Sequence, residues 1–293
     1  MKVLVLGAAG MLGFALHRML ADDGWHVTGA VRSAHSPKSN WCGGLNYLTQ
    51  VDAEDIYSVI DAIERTQSTL VINAIGVKTV RDDEKLKRML MINSSFPRRL
   101  AFVTERLGVR LIHFSSDGVF NGTHAPYTEN DIPNADDIYG ISKYLGEPDG
   151  NHILTIRTSL LGRSLTGTGS LIDWMLSQSG KVKGYRCAVF SGLPVNEIGI
   201  VLTKYILPKL ESVRGLFHLS SMPINKADLL KLVSAAWDLY DVNIEQDDSV
   251  VINRSLDSER LMNLIGYNPP LWPQLVTSMR EFYDGLEKKG RAV

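Results

Sequence analysis

The stretch Val3-Leu-Val-Leu-Gly7-Ala-Ala-Gly10-Met-Leu-Gly13 decides the fold that we predict for this chain. Its first four residues form a continuous apolar run, which is typical of a strand buried on both faces of a parallel sheet. Glycines then recur at every third position, and helical spacing of apolar residues follows directly. A glycine-rich turn between a first strand and a helix is the phosphate-binding signature of dinucleotide-binding domains. The predicted cofactor contacts here are Gly7, Gly10, Met11, Leu12 and Gly13.

Strands and helices continue to alternate as far as residue 157. Apolar runs predict strands at 26–31, 45–48, 70–74, 109–115 and 152–157, and helical spacing predicts helices at 11–20, 56–63, 85–107 and 139–146. This alternation indicates an α/β fold, a doubly wound parallel sheet of the Rossmann type with helices on both faces.

The regular alternation ends near residue 160. We expect a loop at 162–169, a helix at 171–176, irregular chain at 180–192, a strand at 215–219, a helix at 226–240 and a final helix in the tail 254–286. The change divides the chain into a dinucleotide-binding domain, 1–160, and a smaller carboxy-terminal substrate-binding lobe, 161–293. Some later segments are expected to return to the core domain, and the cleft between the lobes is the expected ligand site.

The composition argues against several classes of protein. The 293 residues are 44% hydrophobic, which is ample for a core, and the net charge of −1 argues against nucleic-acid binding. The two cysteines, Cys42 and Cys187, form no C-x-x-C pair or metal-ligand cluster, so we expect no metal and a cytoplasmic location. No window approaches the roughly 18 apolar residues of a membrane span, and the amino-terminal run is too short for a signal peptide.

Residues at the ends of the next three strands complete the predicted cofactor site. Arg32, followed by Ser33, stands where NAD enzymes usually place an acidic residue, so it suits the 2′-phosphate of NADP(H); a solvated surface arginine is the alternative. Lys38 is a further possible phosphate contact. Asp52 either holds the adenine amine or caps the helix that follows residue 54.

The fourth strand ends in Asn73-Ala74-Ile75-Gly76, where small residues let the chain pass close to a cofactor, or simply form a turn. Asn93, in the long helix that follows, either bonds to backbone near the active site or lies on the polar face of that helix. All five residues are predicted cofactor contacts.

Tyr139-Gly-Ile-Ser-Lys143 is the stretch that predicts chemistry. The spacing of four places Tyr139 and Lys143 on one helix face, a turn apart. A phenol titrates near 10, and an ammonium or a positively charged nicotinamide ring nearby favours its ionised form. Tyr139 is therefore the candidate acid or base, with Lys143 as its partner on the cofactor. Ser116, in the segment Ser115-Ser-Asp117-Gly118 that closes the fifth strand, is the candidate hydroxyl for the reacting oxygen; a simple turn is the alternative.

These motifs together resemble the extended short-chain dehydrogenases/reductases, and within them the dTDP-4-dehydrorhamnose reductase group. The stretches that carry the likeness are 7–13, 71–76, 115–120, 126–129, 139–147, 157–159 and 215–220. The resemblance implies a catalytic triad of Ser116, Tyr139 and Lys143, and a sugar nucleotide as substrate. The group commonly has a tyrosine where Gly118 stands and a tryptophan where Leu160 stands, so we expect a related 4-keto sugar rather than rhamnose chemistry.

The predicted substrate contacts combine the active-site turn with aromatic and cationic residues from other parts of the chain, which suit a base or a phosphate. They are Lys78, Ser116, Asp117, Gly118, Trp174, Tyr185, Phe190, Ser191 and Arg254. For Trp174 and Phe190, packing in the lobe core is the alternative.

The leading hypothesis is an NADPH-dependent reductase that acts on the C4 ketone of a 4-keto-6-deoxy sugar nucleotide in polysaccharide biosynthesis. An epimerase of the same fold and a regulatory protein without catalysis, like the regulatory subunit of methionine adenosyltransferase, remain alternatives. A 4,6-dehydratase is disfavoured because Asp117 is followed by Gly118 rather than by a glutamate. The chain is expected to be a monomer or a homodimer, and the identity of the nucleotide and sugar stays open.

Overall fold

The computed structural model describes residues 1–33, 40–78, 82–167 and 169–291. Lys38 lies outside the described residues. The strands are β1 (Lys2–Leu6), β2 (His26–Ala30), β3 (Tyr47–Leu48), β4 (Leu70–Asn73), β5 (Arg110–Phe114), β6 (Ile153–Arg157), β7 (Leu160–Leu161), β8 (Gly180–Tyr185), β9 (Ala188–Phe190), β10 (Leu193–Pro194), β11 (Gly215–His218), β12 (Ile224–Asn225), β13 (Val242–Asp247) and β14 (Ile252–Asn253).

The α-helices are α1 (Met11–Asp22), α2 (Ile56–Thr66), α3 (Asp83–Leu90), α4 (Phe96–Arg106), α5 (Ile138–Leu145), α6 (Leu171–Leu176), α7 (Val195–Ile200), α8 (Lys226–Ala236), α9 (Glu259–Ile265) and α10 (Trp272–Arg291). In the described part of the chain, no helix combines the length and the apolar character that crossing a membrane requires.

Seven parallel strands form the central sheet in the order β11-β6-β5-β4-β1-β2-β3. Alternate residues of β1 point to opposite faces: Val3 and Val5 pack in a core with α1, α7 and α10, whereas Leu4 and Leu6 pack in a second core with α2 and α4. The predicted doubly wound parallel sheet is therefore confirmed. The order of the strands reverses beside β1, and ligands of open α/β sheets bind at such a reversal.

Within the described residues, three small sheets lie outside the central one and contain later parts of the chain. β7 pairs with β10, β8 with β13, and β9 lies between β12 and β14. The prediction of irregular chain at 180–192 was wrong, because β8 and β9 occupy much of it. Their partners come from residues 224–253, and periodicity cannot reveal a strand whose neighbours are so distant in sequence.

Two predicted helices also differ from the structure. The long helix at 85–107 is divided into α3 and α4 by a π-helical turn at Met91–Ser95. Such turns are frequent at functional sites. The helix predicted at 226–240 ends at Ala236.

Candidate active site

An amino-terminal groove of about 270 Å³ lies at the carboxyl ends of β1, β2 and β4. It is lined by Gly7, Ala9, Ala30, Val31, Arg32, Ser33, Val51, Asp52, Ala53, Ile75, Val77, Arg88 and Ile92. Gly7 has a φ of +82°, a conformation that favours glycine. A β-carbon added at Gly13 would lie 2.2 Å from the carbonyl oxygen of Gly7, so α1 packs directly on the turn. The turn therefore has the close helix packing that the third glycine of a dinucleotide-binding turn provides.

Five of the predicted cofactor contacts line this groove: Gly7, Arg32, Ser33, Asp52 and Ile75. Arg32 is exposed. A carboxylate oxygen of Asp52 accepts a hydrogen bond from the Glu54 backbone N–H at 3.1 Å, but the residue that caps α2 is Asp55. Arg88, which sequence reasoning missed, also lines the groove and donates to a Glu54 carboxylate oxygen at 3.1 Å.

The remaining predicted cofactor contacts do not line this groove. They are Gly10, Met11, Leu12, Gly13, Ala74, Gly76, Asn73 and Asn93, together with Tyr139, which lines the central cavity, and Lys143 on α5. Leu12 and Gly13 are buried in the packing of α1, whereas Gly10 and Gly76 are exposed.

The two asparagines are fully buried and bond within the protein, so their amides position the chain rather than face the groove. Asn73 accepts from the Ile75 N–H at 3.1 Å and lies 3.1 Å from His113 Nδ1. Asn93 accepts from the Val77 N–H at 2.9 Å and donates to the Val77 carbonyl at 2.8 Å and to Ser142 Oγ at 3.0 Å. Because Asn93 lies in the π-helical turn, that turn fastens the loop after β4 to α5.

A central cavity of about 370 Å³ lies where β5 and β6 end. It is lined by Lys78, Ser115, Ser116, Asp117, Gly118, Tyr139, Thr158, Ser159, Leu160, Ala188, Val189, Phe190, Lys226, Ile252 and Arg254. The cavity thus joins the predicted reaction centre to side chains from β9, α8 and β14. Six of the nine predicted substrate contacts line it: Lys78, Ser116, Asp117, Gly118, Phe190 and Arg254.

The other three predicted substrate contacts do not line the cavity. Trp174 is 40% exposed on α6, and Tyr185 is half-buried at the end of β8. Ser191 is buried, and its hydroxyl accepts from the Leu256 N–H at 2.9 Å. This bond holds the segment around Leu256 against β9, so the Ser191 hydroxyl does not face the cavity.

Ser116 and Tyr139 meet across Gly118. The Ser116 hydroxyl accepts from the Gly118 N–H at 3.0 Å and lies 3.2 Å from an Asp117 carboxylate oxygen. A β-carbon added at Gly118 would lie 3.0 Å from Tyr139 Cε1 and 3.2 Å from Ser116 Oγ. The Tyr139 ring therefore packs against residue 118 in space that a side chain there would occupy.

The start of α5 fixes Tyr139. Asp137 caps the helix by accepting from the Gly140 N–H at 2.8 Å, and it pairs with Arg254 at 3.2 Å. A β-carbon at Gly140 would lie 2.0 Å from the Gly118 carbonyl oxygen, so the helix passes in direct contact with the active-site turn.

The ionisation of Tyr139 differs from the expectation that Lys143 lowers its pKa. Burial raises the pKa of Tyr139 to about 12, while a hydrogen bond with Ser116 opposes the rise and the Asp117 carboxylate adds to it. Lys143 Nζ donates to the Phe114 carbonyl at 2.8 Å. Burial lowers the pKa of Lys143 to about 8, although the Glu147 carboxylate favours its charged form. In the protein alone, Tyr139 is a protonated acid at neutral pH.

A buried ion pair holds the carboxyl end of α5 against the sheet. Glu147 accepts from Arg157 Nε and Nη2, both at 2.8 Å, and from the Ser115 hydroxyl at 2.6 Å. Both side chains are nearly buried, so the removal of either partner would leave an uncompensated charge. The pair links the end of β6 to the segment after α5 and, through Ser115, to the end of β5; Tyr139 and Lys143 lie on α5 and Ser116 follows β5.

The central cavity carries more positive than negative charge. Burial raises the pKa of Asp117, and the nearby charges of Arg254 and Lys78 oppose that rise. Lys226 was not among the predicted contacts, yet its Nζ lies 4.0 Å from the Phe190 ring centroid inside this cavity. Among the described residues, no group of three or more His, Cys, Asp or Glu side chains is arranged to hold a metal ion.

Comparison with known sequences identifies the family of this chain. The family model described as RmlD substrate binding domain matches residues 1–240. The chain is 31% identical to methionine adenosyltransferase 2 subunit beta of Bos taurus, over 94% of this chain and 88% of that protein. It is 29% identical to a probable low-salt glycan biosynthesis reductase of Haloferax volcanii, over 75% of each protein.

Comparison with solved structures shows the same fold. The crystal structure of dTDP-4-dehydrorhamnose reductase from Bacillus anthracis in complex with NADP matches with a TM-score of 0.75 and 18% identity, over 95% of this chain and 99% of that one. The resemblance inferred from the motifs is confirmed at the level of family and fold.

Proposed function

This chain belongs to the RmlD substrate binding domain family, and we propose that it is an NADP(H)-dependent reductase of the C4 ketone of a 4-keto-6-deoxy sugar nucleotide. The observation that carries the proposal is the contact of Ser116 and Tyr139 across Gly118 at one end of the central cavity, with Lys143 one helical turn away. We place the reaction in the cytoplasm, in the biosynthesis of a polysaccharide, and the enzyme would be a monomer or a homodimer.

The proposed roles follow from where each group lies. The Ser116 hydroxyl binds the C4 oxygen, and Tyr139 gives that oxygen its proton as the ketone becomes an alcohol. The high pKa of Tyr139 keeps the phenol protonated, as this direction of reaction requires. Lys143 binds the nicotinamide ribose and, as an ammonium, favours the phenolate that remains.

The amino-terminal groove fits a dinucleotide. The turn at Gly7 admits a pyrophosphate beside the amino terminus of α1, and Arg32 lies at the groove with its guanidinium exposed, as the 2′-phosphate of NADP(H) requires. NADPH, when bound, supplies the hydride that adds to C4.

A regulatory binding protein is the second candidate. The observation that favours it is the 31% identity to methionine adenosyltransferase 2 subunit beta, which extends over nearly the whole chain. A scaffold has no need of a cavity that joins a tyrosine, a serine hydroxyl and several cations, so we rank it second. An epimerase would recycle a tightly bound NAD, and Arg32 argues against NAD.

The deciding experiment measures NADPH oxidation with a panel of 4-keto-6-deoxy sugar nucleotides. We expect consumption with one of them, and a rate lower by about 10²- to 10⁴-fold in Tyr139→Phe, because that variant lacks the proton donor. NADPH affinity should be equal in the two proteins. If NADPH binds but no substrate consumes it, the reductase proposal fails and the regulatory candidate takes its place.

A further inference from the structure

Lys226 reaches the central cavity because of a strand pairing far from the active-site motifs. β12 pairs antiparallel with β9, which places Ile224 opposite Phe190 and Asn225 opposite Val189. Asn225 then caps α8 by accepting from the Asp228 N–H at 2.9 Å, so Lys226 is the first residue of that helix. Its ammonium consequently lies over the Phe190 ring, 4.0 Å from the centroid.

The ammonium of Lys226 has no ion pair in the part of the chain that the structure describes. No carboxylate there lies within 4.0 Å of it, although other cations of the molecule are paired: Arg254 with Asp137 at 3.2 Å and Lys231 with Asp228 at 2.9 Å. The ring of Phe190 attracts the ammonium through a cation–π contact, but it does not neutralise the charge. Burial lowers the pKa of Lys226, and the charge of Lys78 lowers it further, while Asp117 opposes both.

The cavity as a whole favours an anion. Three cations line it, Lys78, Lys226 and Arg254, against the single carboxylate of Asp117. Arg254 already has Asp137 as a partner outside the lining, so the uncompensated charge lies on the two lysines. A ligand oxygen that carries negative charge would bind there with charge-assisted hydrogen bonds.

We propose that Lys226, held over Phe190, is a specificity-determining residue that binds an anionic oxygen of the substrate. That oxygen belongs either to the diphosphate of the nucleotide or to a carboxylate on the sugar. The inference rests on the proposed function for the identity of the ligand as a sugar nucleotide. It does not depend on turnover, because the contact is one of binding.

The test compares Lys226→Gln and Lys226→Arg with the wild-type protein in calorimetric titrations with UDP, dTDP, UDP-glucose and UDP-glucuronate. Loss of a charge-assisted contact should weaken binding by about tenfold or more in Lys226→Gln, and Lys226→Arg should retain most of the affinity. Lys231→Gln is the matched control, since it removes a lysine of the same helix that is exposed and paired with Asp228. NADPH affinity should be equal in all four proteins, which shows that the variants are folded.

The two sources of the anion give different results. A loss of similar size with all four ligands places the diphosphate on Lys226, because each of them carries one. A preference of the wild type for UDP-glucuronate over UDP-glucose that disappears in Lys226→Gln places a sugar carboxylate there. Equal affinities of wild type and Lys226→Gln for all four ligands, or no binding of any of them by the wild type, would overturn the inference. A protein that lacks reductase activity but shows the Lys226 effect would refute the proposed function and leave the anion site standing.

Discussion

The amino-terminal groove is lined by residues between 7 and 92, whereas the walls of the central cavity come from residues between 78 and 254. In the groove, the residues that follow each strand end form part of the lining. The lining can therefore be located from one strand–turn pattern after another in the sequence. In the cavity, the reaction centre at Ser116 and Tyr139 shares its walls with residues as distant in sequence as Lys226 and Arg254. The difference teaches that a strand-turn-helix pattern specifies a local site, while a cavity between small sheets depends on long-range pairing.

The structural basis of the difference is the kind of contact that forms each surface. The groove depends on backbone approaching backbone, as where α1 packs on the Gly7 turn. The cavity depends on the sheet β12-β9-β14, in which β9 pairs with strands on both sides. We expect substitutions to separate the two surfaces, and the following predictions run from the largest effect to the smallest.

Gly13→Ala should disable the groove and leave the cavity intact. Its β-carbon would lie 2.2 Å from the Gly7 carbonyl oxygen, so the turn must move by roughly 1 Å. We expect NADPH affinity to fall about 100-fold and the free energy of unfolding to fall by about 1–3 kcal/mol, measured by titration and by urea unfolding. Gly285→Ala, in α10, is the control, because its β-carbon has no neighbour within 4 Å; it should leave NADPH affinity unchanged and should not lower the free energy of unfolding, since alanine is the better helix former. Unchanged NADPH binding in Gly13→Ala would show that this turn does not hold the cofactor.

Arg32→Ala should change which cofactor the groove prefers. Removal of a guanidinium from the 2′-phosphate should raise the dissociation constant of NADPH by about tenfold and leave that of NADH unchanged. Fluorescence titration with both cofactors measures the ratio. If the dissociation constants of NADPH and NADH rise equally, or if neither changes, Arg32 is a solvated surface residue and does not determine a preference for NADP.

Gly118→Ala should disturb the cavity and leave the groove intact. The added carbon meets Tyr139 Cε1 at 3.0 Å and Ser116 Oγ at 3.2 Å, so the two groups that we assign to the ketone oxygen must separate slightly. We expect kcat to fall by about fivefold with the NADPH dissociation constant unchanged, since misplacement affects the transition state more than cofactor binding. A normal kcat in this variant would mean that Tyr139 moves away from Gly118 before it reacts.

The pH dependence of NADPH binding should test the role of Lys143, whose buried ammonium donates to the Phe114 carbonyl at the end of β5. Burial lowers the pKa of Lys143 to about 8, so the ammonium is fully present below that pH and is lost as the pH rises through it. At pH about 8 half of the lysine is neutral, and the dissociation constant should be about double its value at neutral pH. Lys143→Met should bind more weakly and lack this change. A constant that is independent of pH in the wild type would separate Lys143 from the cofactor.

Much of this arrangement could be predicted before the structure was known. The glycine turn, the parallel sheet and the positions of Ser116, Tyr139 and Lys143 follow from local patterns, because a buried strand, a tight turn and a helical spacing of four are each specified by neighbouring residues. The sequence left two alternatives open for Asn93, and the structure shows the first, bonds to backbone. The bonds of Asn73 were not predicted, since a buried amide and an exposed one look the same in a sequence. The structure shows both asparagines holding the loop after β4 through bonds to Ile75 and Val77.

The part of the cavity lining that comes from residues 188–254 could be predicted only in part from local sequence patterns. Among the aromatic residues proposed for it, Phe190 lines the cavity, but Trp174 and Tyr185 do not, because β9 faces the cavity while α6 and the end of β8 do not. Lys226 was predicted only as the start of a helix, and the pairing of β12 with β9 brings its charge over Phe190.

The sequence by itself thus determined the sheet, the phosphate-binding turn and the order of the candidate catalytic residues, since these depend on contacts between near neighbours in the chain. Only the tertiary structure decided which cations share the central cavity and that the ring of Tyr139 occupies the space beside Gly118. The physical reason is that burial and charge proximity depend on the packing of segments that are far apart in sequence, and that packing sets both the pKa of Tyr139 and the charge that a ligand meets.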